Sequence, residues 1–301
     1  MGKVLKIISA FILIISFKSS YGQYYYYNDS YFDKDVIVEA GGSFGLMVAA
    51  TDVGRKEFSP FLPANYDWKS AKTNGGIYVG FLYQNFIGAR IEYTMGSIAG
   101  ADSSSNNAFY KKRNLSFRSS INEISALAEF HPVPLLFVRD EPYRLSPYIL
   151  AGVGYFTYNP QALFKGNWVD LQPLHTEGQG FKEYPDRTEY RLHAVSVPVG
   201  VGVKYELSSL FNIRTEVVYR RTTTDYLDDV STTYISRPLF YQYLSPKFAA
   251  MADALANRYK EKSPTTNYPG GTVRGTTDPK NDGFFTFNIK LGMTFGRQPR
   301  F

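Results

Sequence analysis

The chain has 301 residues, 17% of them aromatic and 20% charged, with no cysteine. The missing cysteines exclude a disulfide scaffold, thiolate zinc sites, a cysteine nucleophile and a lipid anchor on cysteine. A mean hydropathy of −0.25 is too polar for a bundle of membrane helices, each of which needs about 20 apolar residues.

The formal charge of +6 depends on the first segment. Residues 1–6 are short and basic, Ile7 to Phe17 form an apolar run, and Ser20-Tyr21-Gly22 place small residues before Gln23. This is the layout of a secretory signal peptide over 1–22, and the apolar run is too short to span a bilayer as a helix. Its removal takes Lys3, Lys6 and Lys18 and no acid, which leaves +3. The remaining basic residues form no long run, so nucleic-acid binding loses its main support.

Residues 23–35 are expected to be a periplasmic N-terminal segment, with a barrel over 36–301. Beyond the signal, the chain alternates apolar and polar residues with a period of two, the signature of strands with one face of each kind. Such stretches occur at 36–48, 76–84, 86–95, 121–130, 193–206, 212–220 and 284–295, with a weaker one at 147–158. Eight strands of about 10 residues suit a tilted crossing of a bilayer. A soluble sandwich would also alternate. Two features favour a barrel. The polar faces carry Glu39, Arg90, Glu92, Glu123, Glu129, Lys204, Glu206, Arg214, Glu216 and Lys290, as a packed polar lumen would. The connections also alternate between tight (84–85, 207–211) and long (50–75, 97–120, 159–190, 222–283), with a medium one at 131–146. The reading is an all-β, eight-stranded antiparallel outer-membrane barrel of OmpA size with long extracellular loops, one holding a short helix. Both termini are then periplasmic. Tyr83, Phe86, Tyr155, Phe156, Tyr158, Tyr205, Phe284 and Phe295 fall near strand ends, where interfacial aromatic girdles sit. An eight-stranded interior is only wide enough for side chains, so the lumen charges are expected to pair and plug it.

Several segments could carry function. Asn159 to Phe181 holds Trp168, Asp170, Gln172, His175 and Glu177, but without recognisable metal-ligand spacing. Asp225, Asp228 and Asp229 could take calcium, yet the stretch lacks the glycine and terminal glutamate of a calcium loop. No metal and no cofactor is expected. Residues 246–262 read as a helix with Phe248, Met251, Leu255 and Tyr259 on one face, either capping the barrel loops or binding a partner. His131 to Leu145 is long and proline-studded for a periplasmic turn. Its Val133, Leu135, Leu136, Phe137 and Val138 form either a partner surface or packing under the barrel mouth. Enzyme chemistry has little support: the histidines are His131, His175 and His193, and only His193 near Ser196 is a candidate pair for a lipid-modifying barrel enzyme.

SPYILAGVGYFTYNPQA (146–162), GNWVDLQPLHTEGQGF (166–181), SVPVGVGVKYEL (196–207), YRRTTTDYLDDVSTTY (219–234) and SSINEISALAEFHPVP (119–134) together resemble the PorG-like outer-membrane protein of the type IX secretion system of the Bacteroidetes. The resemblance covers roughly 119–234 well and the terminal strands more loosely. It implies a non-enzymatic component of the secretion and gliding machinery that works with periplasmic ring subunits, a lipoprotein and its partner. It carries over Trp168, Asp170, Gln172, Glu177, Asp225, Asp228 and Asp229 as motif positions without an assigned role. The region 235–280 is longer than the resemblance leads one to expect. A surface-binding or adhesion barrel acting through its long loops is the alternative.

Overall fold

A computed structural model describes residues 31–54, 67–136, 144–262, 271–275 and 281–299. Residues 1–22, expected to be a signal peptide, lie outside the described residues. Eight long strands form the wall: β1 (Tyr31–Ala50), β2 (Lys72–Tyr83), β3 (Ile87–Ala101), β4 (Ser116–Phe130), β5 (Leu145–Phe164), β7 (His193–Glu206), β8 (Phe211–Thr222) and β9 (Gly283–Pro299). A short β6 (Asn167–Asp170) folds back on the end of β5 as a hairpin. Every neighbouring pair is antiparallel, and β1 pairs β9 while β4 pairs β5 on to β7, so the sheet closes on itself. This is the eight-stranded outer-membrane barrel, without a free edge.

The polarity is that of a membrane barrel rather than a sandwich. Along β4 the burial alternates without a break from Phe117 to Phe130, with Ile124, Ala126, Ala128 and Phe130 outward and Glu123, Ser125 and Glu129 inward. Phe81, Ile91, Ile149, Val153, Val201 and Leu291 are all exposed on the outer wall, whereas Glu39, Arg90, Arg214 and Lys290 are buried inside. A water-soluble domain could not tolerate that inversion; a bilayer requires it. Tyr83, Tyr205, Phe211 and Phe295 band the end with the tight turns, and Tyr93 and Tyr155 the other end.

The strands run longer than their alternation alone indicated, and β1 starts at Tyr31, inside the segment expected to precede the barrel. Its first residues pair with 297–299 across a register shift, which extends the ladder below the apolar belt. Gln84 and Asn85 both take positive φ (48° and 57°) in the tight β2–β3 turn, the geometry that matches strand twist. That end is periplasmic by the short-turn rule, and the start of β1 and the end of β9 lie there. The 131–146 turn holds α2 (Val133–Leu136).

The long outer connections fold into a cap. It contains α1 (Ala108–Arg113), α3 (Arg237–Tyr243) and α4 (Pro246–Ala256), then a 3-10 turn Arg258–Glu261. The helix expected over 246–262 therefore stops at Asn257, whose side chain caps the following turn by accepting from Tyr259 N–H. Ala249, Ala252, Leu255 and Ala256 pack against Ala162, Leu171, Leu174, Phe181, Ile235 and Phe240, while Phe248 stays exposed. The helix thus covers its own loops. Ala249, Ala252 and Ala256 make the contact together with Leu255, so the expected stripe faces the cap core at Leu255 and Met251 and departs from it at Phe248.

Candidate functional surfaces in the lumen, the cap and the periplasmic turn

The lower lumen is filled by one ion-pair network. Arg90 donates to Glu216 (2.7 and 3.1 Å) and pairs with Glu129 at 2.7 Å and Glu92 at 3.2 Å. Arg214 pairs with Glu129 at 2.9 Å and with Glu39. Lys204 bridges Glu39 (2.6 Å) and Glu206 (2.9 Å), and Lys290 bridges Glu92 (2.5 Å) and Glu216 (2.8 Å). Arg220 pairs with Glu123, which also accepts from Ser196 at 2.6 Å. Charges this deep persist only when paired and hydrogen-bonded, and here each cation spans two or more strands. Two tyrosines complete the packing: Tyr148 donates to Glu216 at 2.5 Å, and Tyr78 lies under Arg90 and Arg214. Their rings need glycine opposite them. A Cβ on Gly202 would stand 2.5 Å from Tyr148, and one on Gly292 would stand 2.4 Å from the Tyr78 hydroxyl.

Above this network the lumen turns apolar. Met47, Ile98, Phe117, Ile121, Phe156, Tyr158 and Phe284 form a buried cluster with loop residues Val53, Leu115, Tyr190, Leu227 and Val230. Phe156, Tyr158 and Phe284 therefore point inward and close the barrel; they are not girdle residues as their place near strand ends suggested. Their even positions set this, because the inward face of β5 and β9 carries the even numbers.

The cap is pinned by two buried arginines. Arg113 holds the Asp102 carboxylate (2.7 and 2.8 Å) and the carbonyls of Asp52 (2.9 Å) and Arg274 (2.5 Å). Arg274 holds Glu177 (2.9 Å) and the carbonyls of Asp229 (2.6 Å) and Ala256 (3.1 Å). Glu177 also accepts from the backbone N–H of Ser231 (3.1 Å) and Thr232 (3.0 Å). Asp229 accepts from Thr176 (2.5 Å) and Tyr190 (2.8 Å). Asp228 accepts from Val53 N–H at 2.8 Å, and Asp225 from Ser231 at 2.7 Å. The acids around 225–229 and Glu177 are thus joined to each other's loops across about 50 residues of chain. Burial pushes the Asp225 carboxyl up to about 7, helped by the nearby Asp52 and Glu177 charges against the Ser231 hydrogen bond. Burial likewise lifts Asp229 to about 6, with the Arg274 guanidinium opposing it. Burial and the Asp52 carboxylate raise Asp228 well above the usual range.

Among the described residues no three potential ligands are placed to hold a metal ion. Asp170 instead accepts from Asn159 (2.9 Å) and Gln161 (2.6 Å), and His175 lies 3.9 Å from Glu189. Gln172 donates to the Tyr190 carbonyl at 3.5 Å. Trp168 is on the outer face of the β5–β6 hairpin, with the Arg118 guanidinium 3.9 Å from its ring centre. Asn159 to Asp170, read as a loop from its turn formers, is largely this hairpin, closed by positive-φ Lys165 and Gly166.

His193 and Ser196 do not meet. They lie on opposite faces of β7, His193 outward against Tyr155 and Ser196 inward on Glu123. A serine–imidazole–carboxylate row does occur elsewhere: Ser146 Oγ is 3.0 Å from His131 Nδ1, and Nε2 is 3.2 Å from Glu129. All three are buried and Glu129 is shared by Arg90 and Arg214, so the row belongs to the packing of the lower lumen. At the periplasmic turn, Leu135 and Leu136 of α2 are 61% and 69% exposed. Val133 is the partly covered start of the same helix, and Phe137 and Val138 lie outside the described residues.

Among curated proteins none matches the chain. Three solved barrels are similar at low identity. The N-terminal barrel domain of Pseudomonas aeruginosa OprF is 9% identical, with 88% of this chain and 100% of that one covered and a TM-score of 0.35. Neisserial surface protein A is 9% identical, with 88% and 99% covered and a TM-score of 0.37. Ail of Yersinia pestis, solved with the heparin analogue sucrose octasulfate, is 11% identical, with 86% and 99% covered and a TM-score of 0.36. Residues 76–236, from the middle of β2 to the start of α3, match the family described as Domain of unknown function (DUF6089), and the chain belongs to that family.

Proposed function

We propose that this barrel is a non-enzymatic structural component of the type IX secretion machinery, docking periplasmic ring subunits, a lipoprotein and its partner, to the outer membrane. The observation that carries the reading is the run of specific strings across 119–234 that resembles the PorG-like proteins. Two structural features are consistent with it. The lumen is packed with ion pairs and aromatic side chains, which suits a scaffold better than a solute channel. The periplasmic turn exposes Leu135 and Leu136, and exposed apolar side chains beside a membrane rim suit a protein partner. The test is Leu135→Glu with Leu136→Glu in the native cell envelope. Ring subunits are expected to stop co-purifying with a barrel that still shows its heat-modifiable gel shift. Unchanged co-purification sinks this docking surface.

A surface-binding barrel is the second reading, and the folded cap with its own core favours it. Protease shaving of intact cells separates the two: loss of a binding activity while secretion continues supports the adhesion reading.

A further inference from the structure

The outer wall at β3–β5 changes character sharply at one height. On β4 the outward residues run Phe130, Ala128, Ala126, Ile124 and then Asn122, Ser120 and Arg118. On β5 they run to Tyr155 and then Thr157, Asn159 and Gln161. Tyr93, beside this step, donates its hydroxyl to Asn122 at 3.3 Å. The hydrocarbon boundary on this side therefore lies near Ile124 and Tyr155, and the polar outward positions above it sit at the depth of outer-leaflet headgroups.

At that depth the chain assembles a specific set of groups. Trp168 is 45% exposed and carries the Arg118 guanidinium 3.9 Å from its ring centre. Arg118 is itself oriented by donating to Gln161 at 2.9 Å. Asp170 fixes both neighbouring amides, accepting from Asn159 and Gln161. An exposed indole edged by oriented amides and a carboxylate is the chemistry that recognises a sugar, ring against its apolar face and polar groups against its hydroxyls. Immediately above, α1 ends in exposed Lys111 and Lys112. The Arg258–Glu261 turn joins it through Asn114 to Glu261 (2.8 Å) and Arg258 to Ser116 (2.8 Å), which brings Lys260 and Lys262 to the same corner. Glu261 is occupied by Arg258 and Asn114, while Asp102, Asp228, Asp229 and Glu177 of the cap are buried. The cations Arg118, Lys111, Lys112, Lys260 and Lys262 outnumber the exposed acids Asp170 and Glu261, so the surface of this corner is basic overall.

We infer that the β3–β5 corner binds the phosphorylated sugar headgroup of an outer-leaflet glycolipid. Trp168, Asn159, Gln161 and Asp170 face the sugar, and Arg118 with Lys111, Lys112, Lys260 and Lys262 faces its phosphates. The inference stands on the barrel and its cap, independently of the secretion reading. Guanidinium and ammonium groups on phosphate make the stronger, charge-assisted hydrogen bonds, and the site's affinity falls with salt.

The test uses the full-length purified barrel in phosphatidylcholine nanodiscs containing lipid A, dephosphorylated lipid A or phosphatidylglycerol, with bound lipid read by native mass spectrometry. Lipid A is expected to be retained in preference to both others, and Arg118→Ala with Trp168→Ala to weaken retention by about tenfold or more. Lys247→Glu, a charge change on the exposed side of α4, serves as the control and is expected to change nothing. Equal retention of dephosphorylated lipid A overturns the phosphate assignment, and equal retention of phosphatidylglycerol overturns the sugar assignment. Undiminished retention by the double variant overturns the site. Should that variant fail to fold, the comparison of the three lipids on the unaltered protein still decides.

Discussion

The lower lumen and the cap bury charge in opposite ways. Below, carboxylates meet cations from other strands, as Glu39 does with Lys204 and Arg214, and the pairing is side chain to side chain. In the cap, few cations serve many acids. Asp228 and Asp282 are held by backbone N–H groups of Val53, Val230 and Leu227, while the buried Glu177, Asp229 and Asp102 share Arg274 and Arg113. A barrel wall spends its backbone donors on the ladder, so its interior charges must be neutralised by side chains. Irregular loops have spare N–H groups, so an acid there can stand in for a missing ladder partner. The two regions should therefore respond differently to the same kind of change.

The largest effect is expected from removing a lower-lumen cation. Arg90→Leu strands Glu216, Glu129 and Glu92 without one partner, at a cost of about 3–5 kcal/mol. Urea unfolding of the refolded barrel, followed by the gel shift, measures it; a loss under 1 kcal/mol would mean that water already solvates the network. Phe284→Ala, which empties part of the apolar layer against Phe156, is expected to cost about 3 kcal/mol in the same assay.

Arg274→Ala addresses the cap alone. It frees Glu177 and Asp229 and should open 223–262 to protease while the gel shift of the barrel is preserved. Loss of the gel shift would show that cap and barrel fold as one unit. The pH response sharpens the contrast. Asp225, held up to about 7 by burial, and Asp229, held up to about 6, each bind a proton more tightly folded than unfolded. Their contribution is thus complete below the ordinary value of 3.8 and is lost as pH rises through about 6 to 7. The cap should resist protease better at acidic than at alkaline pH, and Asp225→Asn should flatten that slope. A slope of the opposite sign would contradict the burial argument. The smallest effect belongs to Leu135→Glu, which is exposed and should change barrel stability by less than about 0.5 kcal/mol.

The strand half of the molecule was legible because its physics is local. A period of two with lipid outside writes the inward and outward faces directly into the order of residues, so Glu39, Arg90, Glu92, Glu123, Glu129, Lys204, Arg214, Glu216 and Lys290 could be placed on one face of their strands without coordinates. Boundaries were harder. Strand β5 runs on through Asn159 and Pro160, residues that read as turn formers, because pairing with Ser120 and Ser119 of β4 outweighs their local preference. Partners in the cap were not legible: nothing near Arg274 in the chain announces Glu177, which lies 97 positions away.

Taken alone, the order of residues determined an antiparallel barrel of eight strands, its polar interior and its alternation of short and long connections, since each follows from side-chain period and chain length. Tertiary structure decided which charges neutralise which, that Phe156 and Phe284 close the lumen rather than band it, and that Trp168 and Arg118 stack at the rim. Those outcomes depend on strand register and on contacts between distant loops, and both are set only when the sheet closes and fixes what stands opposite what.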